Sequence, residues 1–255
     1  MELDDGRSLR GRIVWGAQFR RIQPGCRSML PDLQIDLPKS LSSIVEDRIR
    51  NAIINAELAF GQALPEDSMG LSMGVSRTPM REALTRLQTQ GLVVIVPKKG
   101  TFVFKPTLAD AEQLASFRLT LEMEAVRRCH THAPEATVKS MRAAVEAMRA
   151  ARSAGDGKTY ARADTEFHES FFANCNNAYL ANAYHTVSGR IAALRARLSV
   201  SHANEQATSF EEHLQMVGAF SEGKLAQMNK TLRQHILRAA SAYENALRRM
   251  GVDDA

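Results

Sequence analysis

Cysteine is scarce in this chain and badly placed for cysteine chemistry. Cys26, Cys129 and Cys175 are odd in number, far apart and never in a C-x-x-C spacing, so neither a disulfide framework nor a thiolate metal site is indicated. A reducing cytoplasm fits that usage. No apolar run approaches the ~18 residues of a bilayer crossing, and the twin arginines Arg20 and Arg21 lack the apolar stretch of an export signal. A membrane is therefore not expected as a partner. The chain also lacks a glycine-rich phosphate loop, internal repeats and low-complexity tracts, and no Ser or Cys nucleophile stands with an assignable base.

What is present is ordinary in bulk and uneven in charge. At 255 residues the chain exceeds the ~100–150 of a single domain, which predicts two. Hydrophobic residues make up 44% and charged residues 24%, enough for a real core and no sign of bulk disorder. The formal charge of +5 is unevenly spread: residues 39–105 hold 9 basic and 6 acidic side chains, against 18 and 17 in 106–255 and 6 and 5 in 1–38. So small an excess says little alone. Its location matters more.

Residues 1–38 show no sustained period and are punctuated by Gly6, Gly11, Gly16, Pro24, Gly25, Pro31 and Pro38. They read as a flexible leader, with Met29 as an alternative first residue. From Leu41 the pattern is helical: Val45, Ile49, Ala52, Ile53 and Ala56 share one face, and this helix should end before Gly61. Pro65 and Glu66 can open a short helix that runs through Met73 and breaks at Gly74. Ser76 or Thr78 can cap the next, with Pro79 tolerated in its first turn.

That third helix carries two stripes. Met80, Ala83, Leu84 and Leu87 fall at i, i+3, i+4 and i+7, the spacing of a buried face, while Arg77, Arg81, Thr85 and Gln88 run beside them. "LVVIV", "PKKG" and "TFVF" then read as a hairpin from Leu92 to Phe104. Three helices and a hairpin make a winged helix-turn-helix over 39–105. Beyond Pro106 everything reads as helix: Leu108–His130, Glu135–Arg152, Lys158–Asn174, Tyr179–His202, Ser209–Ser221 and Lys224–Met250. The fold class is thus mainly α: an N-terminal winged helix-turn-helix of three helices and a two-stranded wing, then an antiparallel all-α bundle of about six helices over 106–255.

The second stripe has a chemical use. A major groove ~12 Å wide admits one helix. Arg77 and Arg81, one turn apart, can both face it, and an Arg fork matches guanine O6 and N7. Thr78 and Thr85 suit phosphates or a thymine methyl, and Lys98 and Lys99 at the hairpin tip would meet phosphate or the minor groove. A solvated charged face is the alternative for a helix standing alone; the turn, buried stripe and basic wing together favour DNA. At "GVSRTPMREAL", "GLV" and "GTFV" the chain resembles the GntR family of bacterial transcription regulators over about Leu41 to Lys105. The resemblance implies operator contacts by Arg77, Thr78 and Arg81, with Gly100 at the wing tip. It departs at "PEDSMG", where Asp67 stands in place of the family's common Arg, removing a phosphate contact, and Gly70 replaces the usual Ala at some cost in helix stability.

The bundle holds a second puzzle. Asp164 and His168 are i and i+4, emerging together on a face continued by Phe167, Phe171 and Cys175. His213 shares a face with Val217 and Phe220, and His235 with Leu232, Ile236 and Ala239. Burying unpartnered polar groups costs several kcal/mol, so each needs a partner. Either each finds a backbone carbonyl or a core carboxylate, or one divalent cation satisfies all four; this ligand set suits zinc, nickel, iron or manganese rather than calcium. An octahedral ion would leave two positions for water or an exogenous oxygen ligand. His130, His132, His185 and His202 fit no motif and read as surface or helix-end residues. Met69, Met73, Met80, Met123, Met141 and Met148 read as core filler.

"RLTLE" (Arg118 to Glu122), "DTEFH" with Asn177 nine residues past His168, "EEH" and "RQH" resemble the FCD domain of the fatty-acid-regulator subgroup of that family, over about Leu108 to Met250. The resemblance implies Asp164, His168, His213 and His235 as metal ligands, zinc first, and a small-carboxylate effector. Arg118 is then the leading candidate for a charge-assisted contact to it, with Arg190 and Arg195 as weaker ones; the competing role for Arg118 is a rim ion pair with Glu122. The combined expectation is a cytoplasmic, non-enzymatic, homodimeric regulator, a repressor, on double-stranded operator DNA with inverted-repeat half-sites. Two alternatives stand beside it: a metal-dependent hydrolase with Glu166 or Glu169 as base, and a DNA-binding regulator with a purely structural metal and no effector.

Overall fold

Ser40 opens the first helix of the computed structural model, which describes residues 40–199 and 203–252. The expected leader, with Cys26 and Met29, lies outside those residues, as does His202. The Ser40 hydroxyl accepts from the Ser43 N–H at 3.2 Å and α1 runs Leu41–Ile54, burying the Val45, Ile49, Ala52 and Ile53 stripe that its spacing predicts. α2 (Glu66–Met73) stops at Gly74, whose φ of 67° is left-handed, a conformation that costs other residues free energy. α3 (Arg77–Thr89) follows at once. Ser76 takes the N-cap position but makes no side-chain cap bond, and Thr78 lies within the first turn. The capping expectation therefore holds for Ser76 in position only.

Gly70 has a role the sequence reading missed. It is buried, and a Cβ there would lie 3.0 Å from the Val75 carbonyl oxygen, while the Val75 N–H donates to the Gly70 carbonyl at 2.9 Å. The residue that weakens α2 thus lets the turn into α3 close tightly against it.

β1 (Val93–Val96) and β2 (Gly100–Val103) pair antiparallel, Val93 opposite Val103 and Val96 opposite Gly100. The wing is more firmly attached than a free hairpin. The chain before α2 pairs along β2, with the Leu64 N–H on Thr101 O at 2.8 Å and the Val103 N–H on Gln62 O at 2.9 Å. Met80, Ala83, Leu84 and Leu87 of α3 close the small core against Val45, Ile49, Ile53, Leu92 and Val103.

Among the described residues the remainder is six helices: α4 (Leu108–His132), α5 (Pro134–Ser153), α6 (Gly157–Asn174), α7 (Ala178–Ser199), α8 (Ala203–Ser221) and α9 (Leu225–Arg249). α4 begins on a capping box between Thr107 and Asp110. α6 begins at Gly157, one residue before the predicted Lys158, because the Asp156 carboxylate caps it through the Thr159 N–H at 3.0 Å. α8 starts six residues before the predicted Ser209. That extra stretch has no apolar stripe to announce it; Glu205 is held instead by Arg238 of α9 at 2.5 Å.

The described residues cluster as one compact unit, and α7 joins its two parts. Ala193 sits fully buried in the winged-helix core. Gly189 lets Leu92 approach so closely that a Cβ would meet its Cδ1 at 3.1 Å. Arg190 pairs with Asp110 at 2.8 Å and lies over the Phe104 ring, and Arg197 donates to the carbonyls of Ala56 and Leu58 while covering Phe60.

Gly74 gives the first prediction. Its side is open, so only the left-handed backbone selects glycine: Gly74→Ala is expected to lower unfolding free energy by about 1–2 kcal/mol, and Gly74→Asn by less, in urea titrations followed by circular dichroism.

Candidate functional site

The exposed face of α3 is built by subtraction. Once Met80, Ala83, Leu84 and Leu87 point inward at 0% exposure, helical geometry leaves Arg77, Arg81, Thr85 and Gln88 outward. The Arg77 and Arg81 side chains are 71% and 70% exposed. Thr85 turns its hydroxyl back onto the Arg81 carbonyl at 2.8 Å, leaving its methyl for contact. Thr78, Lys98 and Lys99 are exposed as well. At the wing tip Lys98 takes a φ of 63° and Gly100 one of 114°, so the two lysines project from a tight turn.

The second site is internal. Asp164 and His168 on α6, His213 on α8 and His235 on α9 are all buried, and one ligand atom from each can be chosen so that all lie within 4.8 Å of one another. The Nε2 atoms of the three imidazoles converge: 3.2 Å from His168 to His235 and 3.5 Å from His213 to His168. Asp164 faces them, Oδ1 at 3.7 Å from His168 Nε2 and Oδ2 at 3.8 Å from His213 Nε2. Phe167 and Phe171 wall the site edge-on.

The surrounding carboxylates decide the tautomers. His168 Nδ1 meets Glu122 Oε2, and His235 Nδ1 meets Glu212 Oε2, each at 2.8 Å. An ionised carboxylate only accepts, so Nδ1 carries the hydrogen and Nε2 of a neutral ring is left as a lone pair. Burial above all, then the charge of Arg118, drives His168 well below the usual imidazole value. Burial, only partly opposed by Asp164, pushes His213 down to about 3. Burial, the largest influence, would raise the Asp164 carboxyl, but the Arg195 guanidinium in direct contact together with His213, His168 and His235 outweighs it and holds the group ionised. Where both rings are neutral, their Nε2 lone pairs face each other at 3.2 Å and repel unless a positive centre, a proton or a metal ion, lies between them. The residues therefore fit a divalent cation.

Arg118 is no rim residue. Its side chain and that of Glu122 are 3% and 0% exposed, with Nε on Oε1 at 2.5 Å, on a helix, α4, that packs against α9. The pair steadies His168 through Glu122. Arg195 donates to the Thr165 hydroxyl at 2.6 Å as well as contacting Asp164. Both arginines line a cavity of about 100 Å³ together with Asp164, Ser209, His235 and Arg238. In each, Nη2 is buried without a hydrogen-bond partner. Arg190 is not brought there. Five residues before Arg195 on the same helix, it points about 140° away, to Asp110 and Phe104. Glu166 is exposed beside Arg162, and neither it nor Glu169 lines the cavity.

Sequence reading missed the supporting shell of Glu122, Glu205, Glu212 and Arg238. Arg238 holds Glu212 through Nε on Oε1 at 3.0 Å and Nη2 on Oε2 at 2.6 Å. A signal existed in hindsight: Glu212 adjoins His213, and Arg238 follows His235 by three residues.

A winged helix with an exposed, arginine-bearing face on its third helix, joined to an all-helical domain with a buried polar centre, defines a class: a DNA-binding transcription regulator. Comparison with known proteins narrows it. Residues 41–103 match the family described as bacterial regulatory proteins, gntR family, and residues 113–238 match the FCD domain. An HTH-type transcriptional regulator from the TAR-I ttuE-ttuC' intergenic region of Agrobacterium vitis is 37% identical over 130 residues, 49% of this chain and 75% of that protein. A Paenarthrobacter nicotinovorans protein named "Probable D-xylose utilization operon transcriptional repressor" is 29% identical, over 85% of this chain and 93% of its own. The crystal structure of a GntR transcriptional regulator from Rhodococcus sp. RHA1 superposes with a TM-score of 0.72 at 20% identity, covering 80% of this chain and 98% of that one. The chain belongs to the GntR family, with an FCD domain after its winged helix.

Neutral buried histidines make stability pH-dependent in metal-stripped protein. His168 and His213 have folded values below the ordinary 6.5, so the unfolded chain binds more protons. Stability is complete above pH 6.5 and falls as pH drops below it, by roughly 1.4 kcal/mol per pH unit for each histidine, down to about pH 3 for His213. Denaturant midpoints between pH 7.5 and 5, after chelation, should show this slope, and His213→Gln should reduce it by about half.

Proposed function

We propose that the protein is a cytoplasmic, homodimeric repressor that reads inverted-repeat operator DNA with α3 and the wing and leaves it when a small carboxylate enters the bundle. Arg77 and Arg81 are the base readers, Thr78 and Thr85 contact phosphate or a thymine methyl, and Lys98 and Lys99, with Gly100 shaping their turn, engage phosphate beside the wing. One winged helix spans few base pairs, so two copies on related half-sites follow. The name of the Paenarthrobacter relative supports repression as the mode of action.

In this reading Asp164, His168, His213 and His235 hold a divalent cation, zinc first by ligand chemistry. Such an ion would supply a positive centre with coordination positions open to an exogenous oxygen. The observation that carries the effector is electrostatic. Glu122, Asp164, Glu205 and Glu212 already balance Arg118, Arg195, Arg238 and the cavity-wall Arg249, so a divalent ion adds two uncompensated charges. A small mono- or dicarboxylate restores neutrality in a cavity where Arg118 and Arg195 each present an unpartnered N–H.

An effector releases DNA only if it binds two conformations unequally. α7 is placed to make that difference. Arg195 reaches the polar centre, while Ala193 and Arg197 seat the winged helix on the same element.

Three outcomes are expected. Elemental analysis should find one divalent ion per chain in purified protein and almost none in His213→Gln. In a thermal-shift panel of small carboxylic acids, a stabilising acid should lose its effect after chelation; at 100 Kd it should add about 2.7 kcal/mol. Electrophoretic shift on promoter duplexes should give a sequence-specific complex that the same acid dissolves, and Arg77→Ala with Arg81→Ala should cost about 1–3 kcal/mol of discrimination at each guanine read. Without a sequence-specific complex in any effector state, the regulator mechanism is wrong; a metal that stabilises while no acid binds leaves it purely structural.

A further inference from the structure

Two carboxylates in the first turn of α2 hold the two arginines of the reading face. Arg77 donates through Nε and Nη2 to Asp67 Oδ1 and Oδ2, at 2.7 and 3.0 Å. Arg81 donates through Nε to Glu66 Oε2 at 2.9 Å, and the other oxygen of Glu66 accepts from the Thr101 hydroxyl on β2 at 3.4 Å. Stability does not explain the Arg77–Asp67 pair. The Arg77 and Asp67 side chains are 71% and 68% exposed, and ion pairs so open to water contribute little. Nor do the two carboxylates serve general affinity for DNA, because a carboxylate at the groove repels phosphate.

The fork geometry offers a reason. A guanidinium has two edges that can each make a pair of parallel hydrogen bonds. Asp67 takes the edge formed by Nε and Nη2. The edge formed by Nη1 and the second N–H of Nη2 stays open, and it can match O6 and N7 of a guanine. An Arg77 without that partner would swing on a flexible stem toward the nearest phosphate oxygen, a contact that carries no sequence information.

We propose that Asp67 is a specificity-determining positioning residue: it occupies one edge of Arg77, presents the other to a guanine and withholds the side chain from phosphate. Glu66 acts likewise on Arg81 and, through Thr101, ties that arginine to the wing. The inference rests on the reading of operator DNA by α3, yet fails separately from it.

The test uses the full-length protein and a duplex that the wild type selects from a random pool. Variants of that duplex carry each G·C pair of a half-site changed to A·T, with a scrambled duplex as control. Fluorescence anisotropy is followed across a salt series. For Asp67→Asn the expected result has three parts: about tenfold weaker discrimination at one G·C position, tighter binding to the scrambled duplex, and a log K against log salt slope steeper by about one as Arg77 turns to a phosphate. A double-mutant cycle with Arg77→Lys, which keeps charge but has no fork, should show coupling at that position alone. An equal rise in affinity for every duplex would make the carboxylate a repulsive charge only and overturn the proposal, as would additive effects in the cycle. Asp67→Ser, suited to a first helical turn, replaces Asp67→Asn if the latter melts early. A wild type that selects no duplex overturns the operator reading itself, and this proposal with it.

Discussion

A carboxylate buried under helices must be matched, and Asp164 at 4% exposure sets the terms for the rest of the bundle. An isolated charge in a protein interior is costly enough to neutralise itself or unfold its surroundings. Here it is answered from several directions: Arg195 from α7, His213 from α8, His235 from α9 and its own helix neighbour His168, with Glu122 and Arg118 of α4 behind. Five of the six bundle helices place a charged or imidazole group in one network. The sixth, α5, contributes Met141, Val145 and Met148 to the apolar core instead. Such a network contributes little net stability, since apolar replacements often match it. What it fixes is register: slide any of the five helices by a turn and one charge loses its partner.

That constraint reaches the DNA-reading half through α7. Among the described residues, Ala193 is the bundle residue counted within the winged-helix core, and Ile191, two positions earlier, belongs to the bundle core. Successive faces of one helix thus belong to two cores, with Arg195 turned toward the polar centre and Arg190 and Arg197 stacked over Phe104 and Phe60. Close-packed interiors do not deform continuously. In the proposed mechanism, a change at Asp164 that alters how Arg195 is held is passed to a rigid element whose other face is the seat of the winged helix. Coupling of this kind needs only one helix with two stable placements.

The fold was largely legible because it is written in period and punctuation. The Met80, Ala83, Leu84 and Leu87 stripe, the break at Gly74 and the strand pair around Pro97–Gly100 are local signals, and the described structure contains each. The Asp164, His168, His213 and His235 set was legible because polar residues on apolar faces are conspicuous. What escaped were features whose cause is non-local. Glu122 and Glu212 look like surface residues until α4 and α8 are packed. The start of α8 has no stripe to reveal it. Arg190 and Arg195 look alike in sequence, and only the helix pitch sends one to a domain boundary and the other to the centre. Gly70 looked like a weak helix residue because the carbonyl it admits belongs to the following turn.

The same chemistry serves opposite ends in the two halves. In the bundle, arginine meets carboxylate because neither can be buried alone, and the pair is a condition of folding. On α2 and α3, Arg77 and Asp67 could each be solvated at no cost, so pairing there is not required by the fold. A bidentate contact nevertheless reduces the orientations of a long side chain to few, and that ordering is completed before any partner arrives. Preorganisation of this sort lowers what must be ordered on binding while leaving intrinsic attraction unchanged or weaker. Under the proposed reading of operator DNA, a surface built so trades affinity for choice: its arginines are presented as shaped donors rather than as mobile positive charge, and the wing lysines, Lys98 and Lys99, are left to supply the unspecific attraction.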